Sequence, residues 1–156
     1  MSLIWTICGA GQGVGKTTLA LKLCEVLPES IYVKCGHGAA KSGKPGIFFN
    51  NLTELDTFMQ ANRNIYKHII VESNAFAKLS KSDIFIYLDG VIGKTHFRSD
   101  AGQLMASADI SVCMDTALES WKKVLASKIG SEAVCEAVCD LLLSQKKYLL
   151  SRFSDI

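Results

Sequence analysis

The sequence predicts a single α/β domain over residues 1–156, with helices covering both faces of a mostly parallel sheet in three layers. Short apolar runs rich in β-branched residues alternate along the chain with segments of helical periodicity. A glycine-rich segment joins the first run to the first helical pattern, as in a strand–loop–helix unit. The length of 156 residues suits one domain that can bury a core.

The individual elements follow from the same patterns. The apolar runs predict strands over residues 3–8, 31–34, 68–72, 84–88 and 110–113, and residues 47–50 predict a sixth strand or an edge hairpin. Helical spacing predicts helices over residues 16–26, 54–61, 98–107, 117–126 and 132–145. One long irregular segment, residues 35–46, contains four glycines and two lysines. It predicts a functional loop at the carboxyl end of the second strand.

The segment at residues 10–18 fits a nucleotide-phosphate loop. Its glycines let backbone amides converge on one point, and the helix that follows adds unpaired N–H groups and a positive dipole end. Lys16 supplies a cation for the β- and γ-phosphates, and Thr17 supplies a hydroxyl for Mg²⁺. The predicted phosphate-binding residues are Ala10, Gly11, Gln12, Gly13, Val14, Gly15, Lys16, Thr17 and Thr18.

Glu72 ends the apolar run that predicts the third of these strands. A strand beside the phosphate loop would bring this carboxylate near the metal, where it binds Mg²⁺ through water or orients the attacking water. Lys16 and Glu72 are therefore the predicted catalytic residues, and Thr17 and Glu72 are the predicted metal ligands. The nucleotide stays open between GTP and ATP, because no guanine-recognition segment follows a late strand.

A second ligand is predicted to contact Lys34, Cys35 and His37, at the start of the long loop. A thiolate and an imidazole in a Cys-x-His segment can face one soft metal ion, but a dimer or a partner protein must complete such a half-site. The alternative is a loop in which His37 contacts phosphate or a pterin-like ligand.

The overall composition excludes some partners: the formal charge of +2 is too small to predict binding to nucleic acid or to a membrane surface. Six cysteines without a secretory leader predict reduced thiols and a cytoplasmic protein.

The phosphate loop resembles that of the P-loop NTPase class that includes signal-recognition GTPases, septum-site ATPases and dethiobiotin synthetase. Within that class the chain is similar to the molybdopterin-guanine dinucleotide biosynthesis adapter family. The similarity lies in the phosphate loop, in a Lys-x-x-His segment at residues 34–37 and in an apolar strand that ends in Val-Glu. The family more often has histidine where Cys35 stands and glycine where Ser73 stands.

The resemblance implies a homodimeric helper that binds GTP or ATP, hydrolyses it slowly and delivers or modifies a molybdopterin-type cofactor together with a biosynthetic protein. Two alternatives use the same loop. The Cys-x-His segment is also similar to that of nickel-insertion GTPases, which would make the chain a metallochaperone. A small-molecule kinase would need an acceptor pocket and usually a lid rich in arginine, whereas this chain has few arginines and only Arg98 is expected near the cleft. Separately, Lys94, His96 and Arg98 form a basic group that can meet an anionic substrate.

Overall fold

The structure, a computed structural model, describes residues 1–36 and 46–154 and contains one sheet of six parallel strands. The strands are β1 (Leu3–Gly9), β2 (Ser30–Cys35), β3 (Ile47–Phe49), β4 (His68–Glu72), β5 (Ile84–Leu88) and β6 (Ile110–Val112). The helices are α1 (Lys16–Val26), α2 (Leu52–Asn62), α3 (Asn74–Ala77), α4 (Ala101–Ser107), α5 (Leu118–Lys128) and α6 (Glu132–Ser154). The predicted α/β class is confirmed. Within the described ranges, no helix has the length and apolar character to cross a membrane.

The strands lie in the order β3-β2-β4-β1-β5-β6, so β1 is flanked by β4 and β5. The edge strand β3 pairs with β2 in parallel, with Val33 opposite Ile47. The alternative of an edge hairpin is therefore wrong, because a hairpin would pair antiparallel. All strands consequently point their carboxyl ends to the same edge of the sheet, which collects the loops that follow them.

Side chains on the two faces of the sheet pack into separate helical layers. On β1, Trp5 and Ile7 are fully buried against α1, α5 and α6, whereas the next residue, Cys8, faces the layer that contains α3 and α4. Leu55 of α2 packs beside that second layer, against β2 and β4. Burial on both faces explains why the central strands read as continuous apolar runs.

Several element ends differ from their predicted positions. Helix α2 begins at Leu52, before the predicted residue 54, because the Asn51 side chain accepts the Glu54 N–H at 2.9 Å. Helix α4 begins at Ala101, so residues 98–100 precede it. Helix α6 continues to Ser154, well past the predicted end at residue 145. The short helix α3 was not predicted, and Ser73 caps it by accepting the Phe76 N–H at 3.1 Å.

A buried hydrogen bond joins β1 to the start of β4. The indole Nε1 of Trp5 donates to Nδ1 of His68 at 3.0 Å, and the imidazole is 7% exposed. Nδ1 can accept this bond only in the neutral ring. Burial lowers the pKa of His68 from 6.5, and the nearby charge of Lys67 lowers it further.

This bond predicts that stability falls with acidity. Because the folded pKa of His68 lies below the unfolded value, the unfolded chain binds the proton more tightly, and stability is lost as pH falls from about 7 through the folded pKa. His68→Asn keeps an acceptor and removes the titration. Thermal unfolding at about pH 7.5 and about pH 5 should show a smaller loss of Tm for His68→Asn than for the wild type. The exposed His96→Asn is the control, and equal losses in all proteins would contradict this role of His68.

Candidate functional site

A cavity of about 820 Å³ opens at the carboxyl edge of the sheet. It lies beyond the ends of β1, β2 and β4, where open parallel sheets place their ligand sites. Its walls come from the loop after β1, the end of β2, the junction of β4 with α3, and the segment before α4. The lining residues are Gln12, Gly13, Gly15, Lys16, Thr17, Thr18, Lys34, Cys35, Gly36, Glu72, Ser73, Asn74, Ala75 and Arg98.

Most of the residues predicted to bind ligand line this one cavity. Ala10, Gly11 and Val14 of the loop are buried and do not line it. The N–H of Ala10 donates to Leu88 O at 2.9 Å, and the Arg98 N–H donates to Ala10 O at 2.7 Å. Ala10 thus anchors the loop to the end of β5. The predicted ligand residue His37 lies outside the described residues.

The loop enters α1 through left-handed backbone at Gly13 and Gly15, with φ values of 74° and 99°. A Cβ on Gly15 would lie 2.4 Å from Nε2 of Gln145, so both conformation and space favour glycine there. The first turn of α1 contains no acidic residue, and no described side chain caps it. The unpaired N–H groups at the start of α1 therefore leave a positive helix end at the cavity.

Lys16 carries a partly desolvated charge at the cavity wall. Burial lowers the pKa of its ammonium group, and the neighbouring cations Lys34 and Arg98 lower it further, while the carboxylate of Glu72 acts in the opposite direction. Glu72 is the only carboxylate among the described lining residues, whereas Arg98 pairs with Asp100 outside the lining. The cavity is therefore electrostatically suited to an anion, which would relieve the cost of charging Lys16.

Glu72 is 5% exposed and connects three elements. Its Oε1 accepts hydrogen bonds from Thr17 Oγ1 at 2.8 Å and from the Tyr32 hydroxyl at 2.7 Å. Its Oε2 lies 3.4 Å from Nζ of Lys34. Burial, followed by the contact with Glu72, raises the pKa of Tyr32, so the phenol stays a donor. The buried carboxylate thus has the partners that its desolvation requires.

Arg98 is a lining residue that the predicted site did not include. Its Nε and Nη2 atoms donate to Asp100 at 3.1 and 3.4 Å, and Lys78 Nζ lies 2.5 Å from the same carboxylate. These hydrogen bonds lower the pKa of Asp100 to about 2. The sequence places Arg98 near the expected cleft, within the basic group at residues 94–98, but this group was not counted among the ligand-binding residues.

Cys35 lines the cavity but is 6% exposed and packs with Val33, Leu55 and Phe76. Burial, and secondarily the charge of Glu54, raises the pKa of its thiol. A metal binds the thiolate, so this environment does not favour Cys35 as a metal ligand. In residues 1–36 and 46–154, no cluster of three or more His, Cys, Asp or Glu side chains is arranged to hold a metal ion.

Thr17 and Glu72 present hard oxygen donors at one place, which is the ligand type that Mg²⁺ prefers. Mg²⁺ usually keeps several waters and binds protein through one or two groups while phosphates supply the rest. A hydroxyl and a carboxylate in contact beside an anion-suited cavity fit this mode. The donor set therefore fits Mg²⁺ held jointly with a phosphate ligand.

Comparisons of the chain with protein-family models, with curated proteins and with solved structures found no match. The resemblance to P-loop NTPases and to the molybdopterin-guanine dinucleotide adapters stays a prediction from the sequence. What the site can do is therefore argued from its own residues and geometry.

The loop geometry predicts that Gly15→Ala destabilises the fold. The added methyl group is strained by the positive φ and meets the Gln145 amide, so the free energy of unfolding should fall by about 1–3 kcal/mol. Gly102→Ala in α4 is the control, since a Cβ there meets no described atom within 4 Å. Chemical denaturation measures both variants. Equal stability of the two would rule out a strained, crowded Gly15.

Proposed function

We propose that this chain binds a nucleoside triphosphate, with the phosphates in the cavity at the start of α1. The observation that carries the proposal is the charge of the lining, which holds Lys16, Lys34 and Arg98 but one carboxylate, Glu72, beside an uncapped helix start. Arg98 also pairs with Asp100 outside the lining, so one positive charge among these five groups is left without a counter-charge. Such an arrangement costs free energy unless an anion neutralises it. A polyphosphate has the charge and the length to contact all of these groups.

Each residue then has a defined task. The amides of the loop and of the first turn of α1 donate to phosphate oxygens, and Lys16 neutralises their charge. Thr17 and Glu72 would hold Mg²⁺, the latter through water. Bound there, Mg²⁺ would neutralise and orient the phosphates. Both GTP and ATP remain candidates, because the described part of the chain offers no contact that selects a base.

We infer that hydrolysis of the triphosphate is slow. A water that attacks the terminal phosphate needs a group to orient it, and Glu72 is the only described carboxylate in the lining. Its Oε1 already accepts hydrogen bonds from Thr17 and Tyr32, and Lys34 lies against Oε2. A carboxylate so engaged is a poor base. This favours a protein that uses the nucleotide to control another binding event.

The second ligand of this proposal contacts Lys34, Cys35 and His37, of which Lys34 and Cys35 line the cavity at the end of β2. Following the resemblance, we propose a molybdopterin-type cofactor and a cofactor-biosynthesis protein as partners, with the chain acting as a homodimer. All six cysteines are free thiols, which suits a reducing cytoplasm. Nickel delivery through Cys35 and His37 is less well supported, because the Cys35 thiol is buried.

A small-molecule kinase is the second candidate, and Arg98 favours it. Its guanidinium is held by Asp100 at the cavity wall, where it can meet an anionic acceptor or the transferred phosphoryl group. Incubation with ATP or GTP and a metabolite mixture separates the two functions. Phosphorylated product supports the kinase, whereas retained nucleotide without product supports the accessory role.

Lys16→Met should weaken triphosphate binding without lowering the stability of the fold. Loss of a charged phosphate contact should weaken GTP and ATP binding by about 10- to 100-fold in calorimetry. Because the folded protein disfavours the charged form of Lys16, removing the charge should leave Tm unchanged or higher without ligand. Lys22→Met on the exposed side of α1 is the control. Unchanged affinity for both nucleotides would contradict this role of Lys16.

Glu72→Gln tests the metal assignment. The amide oxygen can still accept from Thr17 and Tyr32, but the charge that attracts a cation is lost. The gain in triphosphate affinity on adding Mg²⁺ should shrink by about tenfold or more relative to the wild type. Calorimetry with and without Mg²⁺ measures this gain, with the exposed Glu25→Gln as control. A full Mg²⁺ effect in Glu72→Gln would remove Glu72 from the metal site.

A further inference from the structure

The far side of the phosphate loop is held by the last turns of α6. Nε2 of Gln145 donates to Val14 O at 2.5 Å, and Nη1 of Arg152 donates to Gly13 O at 2.7 Å. The hydroxyl of Tyr148 donates to the same Gly13 oxygen at 3.2 Å. These three donors at one-turn spacing on a single helix all reach backbone carbonyls of the loop.

These contacts fix the direction of two successive peptide groups. In a trans peptide the N–H points away from the C=O. The Gly13 carbonyl belongs to the same peptide as the Val14 N–H, and the Val14 carbonyl to the same peptide as the Gly15 N–H. Because both carbonyls point to α6, both N–H groups point away from it. Gly13 and Gly15 line the cavity, so this is the orientation that an anion there requires.

The chemistry of the donors suits this task. Arg152 brings a cation to Gly13 O, and its guanidinium also lies 5.8 Å from the centre of the Tyr148 ring. A charge-assisted bond to a carbonyl polarises the peptide and makes its N–H a stronger donor. Gln145 is 9% exposed, and its amide fills the space that a side chain on Gly15 would take. A flipped peptide would leave these buried or charged donors unpaired.

We propose that Gln145, Tyr148 and Arg152 are positioning residues that hold the phosphate loop in its anion-binding form. We call this set the α6 latch. It couples docking of the last turns of α6 to triphosphate binding, so release of the helix end loosens the phosphates and bound phosphates tighten the helix end. The inference rests on the proposed function, since it concerns the same loop and ligand.

The test compares Arg152→Ala, Arg152→Lys and Tyr148→Phe with Lys147→Ala. Lys147 is exposed on the same helix, and within the described ranges no hydrogen bond or ion pair joins it to the loop, so its removal controls for lost positive charge. Calorimetry with Mg²⁺ and GTP or ATP measures affinity, and thermal unfolding without ligand measures stability. Amide spectra of the ligand-free proteins report the Val14 and Gly15 N–H groups. Hydrogen exchange with and without nucleotide reports protection of residues 145–154.

We expect Arg152→Ala to weaken binding about tenfold, Arg152→Lys to recover part of the loss, and Lys147→Ala to bind like the wild type. The Val14 amide signal should shift in Arg152→Ala without ligand, and nucleotide should protect the end of α6 in the wild type. Wild-type protein that binds neither nucleotide overturns the proposed function and this inference together. Wild-type binding with Arg152→Ala and Tyr148→Phe matching Lys147→Ala, in affinity and in the Val14 signal, overturns the latch alone.

Discussion

Glu72 joins β4 to β2 and to α1 through a shared set of polar contacts. Thr17 and Tyr32 donate to one carboxylate oxygen, and Lys34 lies against the other. Removing a carboxylate from water costs several kcal/mol unless such partners replace the water. The three partners come from the first helical turn and from the neighbouring strand, so the charge is stable only when these elements meet. The geometry of the cavity therefore depends on the packing of β4 against β2 and α1.

The same region holds more positive charge than the fold alone needs. Lys16 is desolvated beside Lys34 and Arg98, and these neighbours disfavour its charged form. A core built for stability would avoid such a group, since hydrophobic residues of similar size cost less. Conflict between local stability and retained charge is typical of binding sites, where the ligand supplies the missing counter-charge. Under the proposed function, this cost in the free protein becomes affinity for the triphosphate.

The sequence predicts an element well when the residues that determine it lie close together along the chain. The central strands β4 and β5 have the predicted bounds, because continuous apolar runs identify strands buried on both faces. The strand–loop–helix unit of β1 and α1 is equally local, since its glycine spacing and flanking elements occur within one short segment. Contacts between Glu72, Thr17 and Lys34 follow once β4 lies beside β1 and β2.

Prediction fails where a polar side chain serves a partner that is distant along the chain. Gln145 breaks the apolar stripe of α6, so the pattern ends the helix there, although Leu149 continues the buried face one turn later. Gln145 is buried because its partner is the Val14 carbonyl, which no local pattern reveals. Arg98 is similar: its backbone docks on Ala10, and this brings its side chain to the cavity.

Gln145 and Arg98, the two residues that the sequence did not assign to the site, are there for the same physical reason. A loop whose amides face an anion must turn its carbonyls away, and buried carbonyls need donors. Glycines make the bend possible, but they leave the peptide planes free to rotate. Rigid elements elsewhere in the chain must therefore supply the donors that select one orientation. In this molecule α6 and the segment before α4 donate to carbonyls of the loop, so the proposed anion site depends on residues far outside its motif.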